Sequence, residues 1–200
     1  LVKQGVRVSA GHTEASVKQL NVACMEGLTG VTHVFNAMAP FTGRDPGVVG
    51  GALANESLWC SIIADGIHVD SACIKVAWRA KPKGKLILIS DAMAAVGHNL
   101  ASFVVSDREV FVNNDSCRLS DGRLAGSKIN LSDAVRYCVK SISIPLVEAV
   151  NMASTYPAEF LELDSCIGKI EPGFFASLVW FDDQINVKGT CVEGELEFYD

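Results

Sequence analysis

The sequence lacks any apolar run approaching the roughly 18 residues that a membrane-spanning helix needs. Basic residues are in deficit: 17 Lys and Arg stand against 23 Asp and Glu, a net charge of −6. The basic face that marks a nucleic-acid partner is therefore missing. There is no Cys-x-x-Cys pair. The seven cysteines (Cys24, Cys60, Cys73, Cys117, Cys138, Cys166 and Cys191) are odd in number and scattered. That is poor material for a zinc ribbon or a disulfide framework, and it reads as reduced thiols of a cytoplasmic protein. Internal repeats, low-complexity segments and a signal-peptide pattern are also missing from these residues. What is there is a 200-residue chain, 49% apolar and 20% charged, the profile of a packed globule. Its length suits one domain, or one domain and part of another.

Four short apolar runs each end on a side chain that can bind a metal or move a proton. Val6-Arg7-Val8-Ser9-Ala10-Gly11 leads to His12, and Val31-Thr32 to His33. Ser61-Ile62-Ile63-Ala64-Asp65-Gly66-Ile67 leads to His68, and Leu86-Ile87-Leu88-Ile89-Ser90 to Asp91. These predict strands over Val6 to Ala10, Gly30 to Phe35, Trp59 to Ala64 and Lys85 to Ser90. Helices are predicted from Thr13, as N-cap, to Met25 and from Asp70 to Ala80. Pro40 to Gly51, rich in Gly and Pro, predicts a loop. Leu1 to Gly5 reads as a last helical turn capped by glycine, with no Met before it. Unbroken apolar strands alternating with helices at ~20–35-residue spacing predict parallel strands covered on both faces. The expected class is α/β, half of an eight-stranded (β/α) barrel, whose chemistry gathers at the C-terminal strand ends.

The pattern then changes. Phe103-Val104-Val105, Glu109 to Val112 and Cys117-Arg118-Leu119 alternate around Asn113-Asn114-Asp115 and predict a β-hairpin insertion. Helices are expected from Asn130 to Val139, from Pro145 to Ser154 and over Tyr156 to Leu161. The chain returns to strands at Ser177 to Phe181, Ile185 to Lys188 and Gly194 to Phe198.

The candidate chemistry follows from placement. Neighbouring strands lie about 5 Å apart, so His12 and His33 can aim both imidazoles at one point. That suits a divalent cation, Zn²⁺ first, whose catalytic sites take three protein ligands and keep a place for water. No third ligand stands out. Asp91 can take a proton from water and return it to a leaving group, or can simply cap a helix. His68 reads either as a group that contacts substrate or as a loop histidine; His98 reads as solvent-exposed. Arg44, on a loop between Gly43 and Asp45-Pro46-Gly47, can grip a phosphate or carboxylate with its planar fork, or pair with Asp45. Leu124-Ala125-Gly126-Ser127 reads as the opening of a helix that offers backbone N–H groups.

Taken together, Gly11-His12-Thr13, Thr32-His33-Val34-Phe35-Asn36-Ala37-Met38, Gly43-Arg44-Asp45-Pro46-Gly47, Ala64-Asp65-Gly66-Ile67-His68, Ser90-Asp91-Ala92 and Leu124-Ala125-Gly126-Ser127 resemble one family in order and spacing. So do Thr155-Tyr156-Pro157-Ala158 and Val192-Glu193-Gly194-Glu195. The family is N-acetylglucosamine-6-phosphate deacetylase, of the metal-dependent amidohydrolase superfamily. The resemblance covers essentially the whole chain but only the C-terminal half or so of a family member.

That resemblance implies strands five to eight of a (β/α)8 TIM-like barrel over residues 1–165, with the hairpin insertion, and strands of a small β-sandwich domain over 166–200. It implies His12 and His33 as metal ligands, for Zn²⁺ or alternatively Fe²⁺, Mn²⁺ or Co²⁺, and Asp91 as proton donor and acceptor. Asn36 and Ala37 would contact the substrate near its phosphate. Arg44 would bind that phosphate by reaching into the neighbouring subunit of a homodimer. Asp65, Gly66, Ile67 and His68 would form the turn that binds the sugar phosphate, and Leu124, Ala125 and Gly126 would line the pocket. The implied reaction is hydrolysis of the acetamide of N-acetylglucosamine 6-phosphate to glucosamine 6-phosphate and acetate, in amino-sugar catabolism in the cytoplasm. The family's Glu ligand, a further substrate-binding His and the first four barrel strands fall upstream of this sequence. The chain is therefore expected to be a fragment, inactive without the missing N-terminal half of the barrel. The alternatives are another amidohydrolase, dihydroorotase-like or imidazolonepropionase-like, and a non-catalytic sugar-phosphate-binding fragment.

Overall fold

Short, largely apolar strands form the spine of the computed structural model, which describes residues 1–199. β1 (Val8–Ala10), β2 (Leu28–Val31), β3 (Trp59–Ile63) and β4 (Leu86–Ile89) pair in parallel, in sequence order. Each connection returns through a helix: α1 (Val17–Met25), α2 (Gly47–Ala54) and α3 (Ser71–Ala80). Parallel pairing of sequential strands requires such crossovers. β3 is buried along its whole length, as a strand covered on both faces must be.

Local chemistry corrects several expected boundaries. α1 starts from Ser16, not Thr13, because Ser16 and Gln19 form a capping box. Thr13 instead accepts the Ala15 N–H at 3.1 Å. β2 stops at Val31, short of the expected Phe35, because His33 and Phe35 adopt left-handed backbone, at φ 36° and 81°. The expected loop over 40–51 gives way at Gly47 to helix α2. Its glycines serve close packing: a Cβ on Gly51 would lie 2.9 Å from Leu20 Cδ2 of α1.

After β4 the insertion is a three-stranded antiparallel sheet, β5 (Ser102–Val105), β6 (Arg108–Val112) and β7 (Cys117–Leu119). Ser106 and Asp107 make its first turn, both at positive φ, the form a two-residue hairpin turn favours. α4 (Leu131–Ile142), α5 (Leu146–Ala153) and α6 (Thr155–Phe160) follow and pack against β4. Asn130 and Asp133 form the capping box of α4. The main core joins Ile62 and Leu88 of the sheet to Leu20, Ile74, Val135, Cys138 and Met152 of the helices. A second antiparallel sheet closes the described chain: β8 (Leu178–Phe181), β9 (Val187–Val192) and β10 (Glu195–Phe198). β9 starts later than expected because the Asp182 carboxylate accepts the N–H groups of Gln184 and Asn186 and holds a turn there. All seven cysteines are unpaired. No helix among the described residues is long and apolar enough to cross a membrane.

Candidate active site

The C-terminal ends of β1 to β4 form one edge of the parallel sheet, and the chain bends sharply at each. His12, His33, Ala37 and Asp91 all sit at positive φ (47°, 36°, 50° and 49°), and Gly66 at 75°. A side chain with a Cβ resists this conformation by roughly 1–2 kcal/mol. Such clustering at one edge marks residues whose direction is imposed by their surroundings.

His12 and His33 meet edge-on, ring centroids 4.7 Å apart and planes at 80°. His12 is exposed, whereas His33 is 5% exposed. The His33 Nδ1 is buried and has no hydrogen-bond partner among the described residues. A buried imidazole nitrogen left unpaired is costly unless something outside the protein's own hydrogen bonds uses it. The pair therefore fits two adjacent positions around a divalent cation. It supplies no more than that: no three His, Cys, Asp or Glu side chains stand together as a metal-holding group among the described residues.

The Asp65 to His68 turn is built inward. Asp65 Oδ1 accepts the N–H groups of Ile67 and His68 at 2.9 and 2.8 Å, and Oδ2 lies 2.6 Å from His68 Nδ1. Burial alone would raise the Asp65 carboxyl, but hydrogen bonds from the His68 ring and the two amides outweigh it and hold the group below the ordinary carboxylate range. Both side chains are 3% exposed. With Nδ1 committed to Asp65, His68 presents Nε2, which is buried and unpartnered among the described residues. Gly66 is required by the turn: a Cβ there would lie 2.4 Å from Tyr137 Oη of α4. Ile67 borders a cavity of about 520 Å³, completed by the insertion residues 113–116 and Arg118.

Asp91 is exposed and caps no helix, since a short bridge and turns follow it. The Ser127 N–H donates to the Asp91 carbonyl at 2.7 Å, and Ala92 bridges Ser127 in parallel fashion. The segment 124–127 is thus extended and latched beside β4 instead of opening a helix, which starts only at Leu131. Gly126 is buried there, and a Cβ on it would lie 2.6 Å from the Asp91 carbonyl oxygen, so the close approach needs glycine. Leu124 and Ala125 are half-buried in the same segment. Asn36 folds back, its backbone N–H donating to the His33 carbonyl at 2.9 Å and its side chain at 3.4 Å. Ala37 is exposed beyond it. Arg44 is exposed and forms no ion pair with Asp45 or any other described residue. His98 is exposed, as its flanking residues suggested.

Two contacts at this edge were not read from the sequence: the Ser61 hydroxyl, which accepts the His33 N–H at 2.8 Å, and Tyr137 against Gly66. A serine inside the apolar run Trp59 to Ile63 was the available signal for the first. Tyr137 lies 71 positions from Gly66, and no local pattern connects them.

The amidohydrolase family pattern matches residues 3–196. An N-acetylgalactosamine-6-phosphate deacetylase of Shewanella sp. (strain ANA-3) is 38% identical over 196 residues, covering 98% of this chain and 50% of that protein. An N-acetylglucosamine-6-phosphate deacetylase of Mus musculus is 35% identical over 202 residues, covering 98% and 49%. The crystal structure of N-acetylglucosamine-6-phosphate deacetylase from Pasteurella multocida superposes with a TM-score of 0.95 at 37% identity, over 99% of this chain and 52% of that one. The chain spans about half the length of the curated relatives it matches.

Proposed function

This chain belongs to the amidohydrolase family, and on that premise we propose that it is the C-terminal half of a metal-dependent deacetylase of 6-phosphorylated N-acetylhexosamines. N-acetylglucosamine 6-phosphate is the first candidate substrate; N-acetylgalactosamine 6-phosphate is the second, because relatives acting on each, by their names, match almost equally well. The observation that carries this reading is the edge-on approach of His12 and His33 at neighbouring strand ends, with a buried nitrogen on His33 that has no partner among the described residues. Residues 1–165 are read as strands five to eight of a (β/α)8 barrel with their helices and the insertion. Residues 166–200 are read as strands of a small β-sandwich. The seven unpaired cysteines accord with a cytoplasmic setting.

In the proposed reaction, His12 and His33 hold a divalent ion, Zn²⁺ first and Fe²⁺, Mn²⁺ or Co²⁺ as alternatives. When bound, such an ion makes water a nucleophile near neutral pH and polarises the acetyl carbonyl. As the water oxygen bonds to the acetyl carbon, the exposed Asp91 carboxylate accepts one water proton and delivers it to the nitrogen, so that the C–N bond breaks with a neutral amine leaving and acetic acid forming, which ionises to acetate. His68, fixed by Asp65, directs Nε2 at the sugar phosphate from the turn that includes Gly66 and Ile67. Asn36 and Ala37 contact the substrate near its phosphate, and Leu124, Ala125 and Gly126 wall the pocket. Arg44, exposed and without an ion-pair partner among the described residues, binds the phosphate in the neighbouring site of a homodimer.

Two imidazoles do not complete a catalytic donor set, so turnover requires the remainder of the barrel, and the isolated chain is expected to be inactive. Acetate release should be measured on this chain with and without a co-expressed N-terminal half from a related deacetylase. Turnover of either phosphosugar only by the pair is the expected result; no release from the pair would sink the reading. Within the active pair, Asp91→Asn should lower kcat by about 10²–10⁴-fold with little change in KM. Arg44→Ala should raise KM for the phosphorylated sugar far more than for the free one. Equal effects on both sugars would favour a different amidohydrolase.

A further inference from the structure

We infer that Ser61 is the positioning residue that sets the His33 imidazole, and that cation affinity depends on it although it contacts no cation. The inference rests on the reading of His33 as a ligand. Ser61 lies in β3 with Cys60, Ile62 and Ile63 around it, all 0% exposed, and is itself 7% exposed. A hydroxyl in such a run needs a reason, because burying it without a partner is unfavourable.

The reason lies across the sheet. β2 leaves its ladder at Val31, and the next amides need acceptors. The His33 N–H donates to the Ser61 hydroxyl at 2.8 Å, and the Val34 N–H donates to the Ser61 carbonyl at 2.8 Å. One residue thus takes two successive amides, and the chain between them passes through φ 36° at His33. From the other side, the Thr32 N–H donates to the Ala10 carbonyl at 2.7 Å, and the Thr32 and Ser9 hydroxyls share a hydrogen bond of 2.7 Å. The bend is thus held at Thr32 from one neighbouring strand and at His33 and Val34 from the other, and the His33 ring meets His12 edge-on. A left-handed residue with a Cβ persists only where its surroundings over-determine it. Without the Ser61 hydroxyl, a buried amide is left unpaired and the bend loses one of its two holds.

The test is Zn²⁺ affinity, by competition with a chromophoric chelator, in the protein that carries this chain within a complete barrel. Ser61→Ala should weaken affinity by about 10–100-fold, the range seen when an outer-shell partner of a ligand is removed. Ser61→Thr keeps the oxygen on Cβ and should restore affinity. If Ser61→Ala does not fold, Ser61→Cys, a near-isostere with a poorer acceptor, should show the weakened affinity instead. Parent-like affinity in the folded Ala variant, or in the Cys variant where Ala fails, overturns the inference. His33→Ala separates the two levels: its loss of affinity beside an unaffected Ser61 variant removes this inference alone. Unchanged affinity in His33→Ala removes the metal reading and this inference together.

Discussion

Asp65 spends its whole carboxylate on the chain that carries it, with two backbone amides on one oxygen and the His68 ring on the other. Those bonds favour its charged form and lower its pKa against the opposing effect of burial. A carboxyl whose folded pKa lies below its unfolded value stabilises fully above the unfolded value, about 3.9, and loses that contribution as pH falls through the folded one. Asp65→Asn should therefore lower the thermal midpoint near neutrality, and the gap from the parent should narrow as pH drops below about 4. A gap that stays constant into acid would mean that Asp65 is not held by charge. At this scale the ends of apolar runs were legible: His12, His33, His68 and Asp91 each follow a strand and reach the same sheet edge. Ser61 was not, because its role is to accept an amide from a residue 28 positions away. Nor was the inward turn of Asp65, since the motif gives its spacing but not which way its oxygens point.

Helix α2 shows why glycine misleads at the scale of elements. Gly47, Gly50 and Gly51 after Pro46 look like loop chemistry, yet they form a helix lying so close to α1 and to Phe41 that side chains would collide. Val48, Val49, Ala52 and Leu53 of this helix are buried in the main core, and its C-terminal end is held from a neighbouring element. Lys81, at the C-cap of α3 and 5% exposed, donates from Nζ to the carbonyls of Ala52 at 3.0 Å and Asn55 at 2.5 Å. Two of the carbonyls that every helix leaves unsatisfied at its C-terminus are taken up in this way. Burial lowers the Lys81 pKa and so opposes the arrangement, with Cys60 and Glu56 offsetting part of it and Lys85 adding to it. Replacing Lys81 by Met removes that desolvation cost but takes the donor from the Asn55 carbonyl and leaves the Ala52 carbonyl only the weak Cys60 thiol at 3.8 Å. The charged hydrogen bonds are worth more, and the net loss should be about 2 kcal/mol, read as a lower urea midpoint at unchanged m-value. A Met variant as stable as the parent would show that the carbonyls find water or another donor. The strands and α3 to α6 were readable because their apolar periodicity is local. α2 was missed because the gain from its glycines lies in a neighbour's surface.

At the scale of the molecule, the last sheet is attached by one end. Ile185, at φ 64° and 2% exposed, plugs the main core from the turn between β8 and β9. Arg136 of α4 donates to the carbonyls of Gln184 and Ile185 at 3.2 and 2.7 Å, and Lys140 reaches the Gln184 side chain at 3.1 Å. Beyond that anchor Val179, Val192, Leu196 and Phe198 stand 53–72% exposed, and β10 is exposed at every residue. Alternation in the sequence signals these strands, but the anchor joins residues about fifty positions apart and leaves no local trace. Three short strands with so little buried area are marginal by themselves, so their order depends on the one docked turn. Segments held by few buried contacts open locally and are cut first by proteases. Limited proteolysis of the chain should therefore cut first within residues 168–177 or in β10, and last in β3 and α4. Arg136→Ala should speed the early cuts by about tenfold, the loss of one charged hydrogen-bonding group, while leaving the late ones unchanged. Fragment masses that show equal early rates in parent and variant would mean that the turn is held by Ile185 alone. Protection of the same bonds once an N-terminal barrel half is supplied would mean that the exposed apolar face is covered there, as the sandwich reading requires.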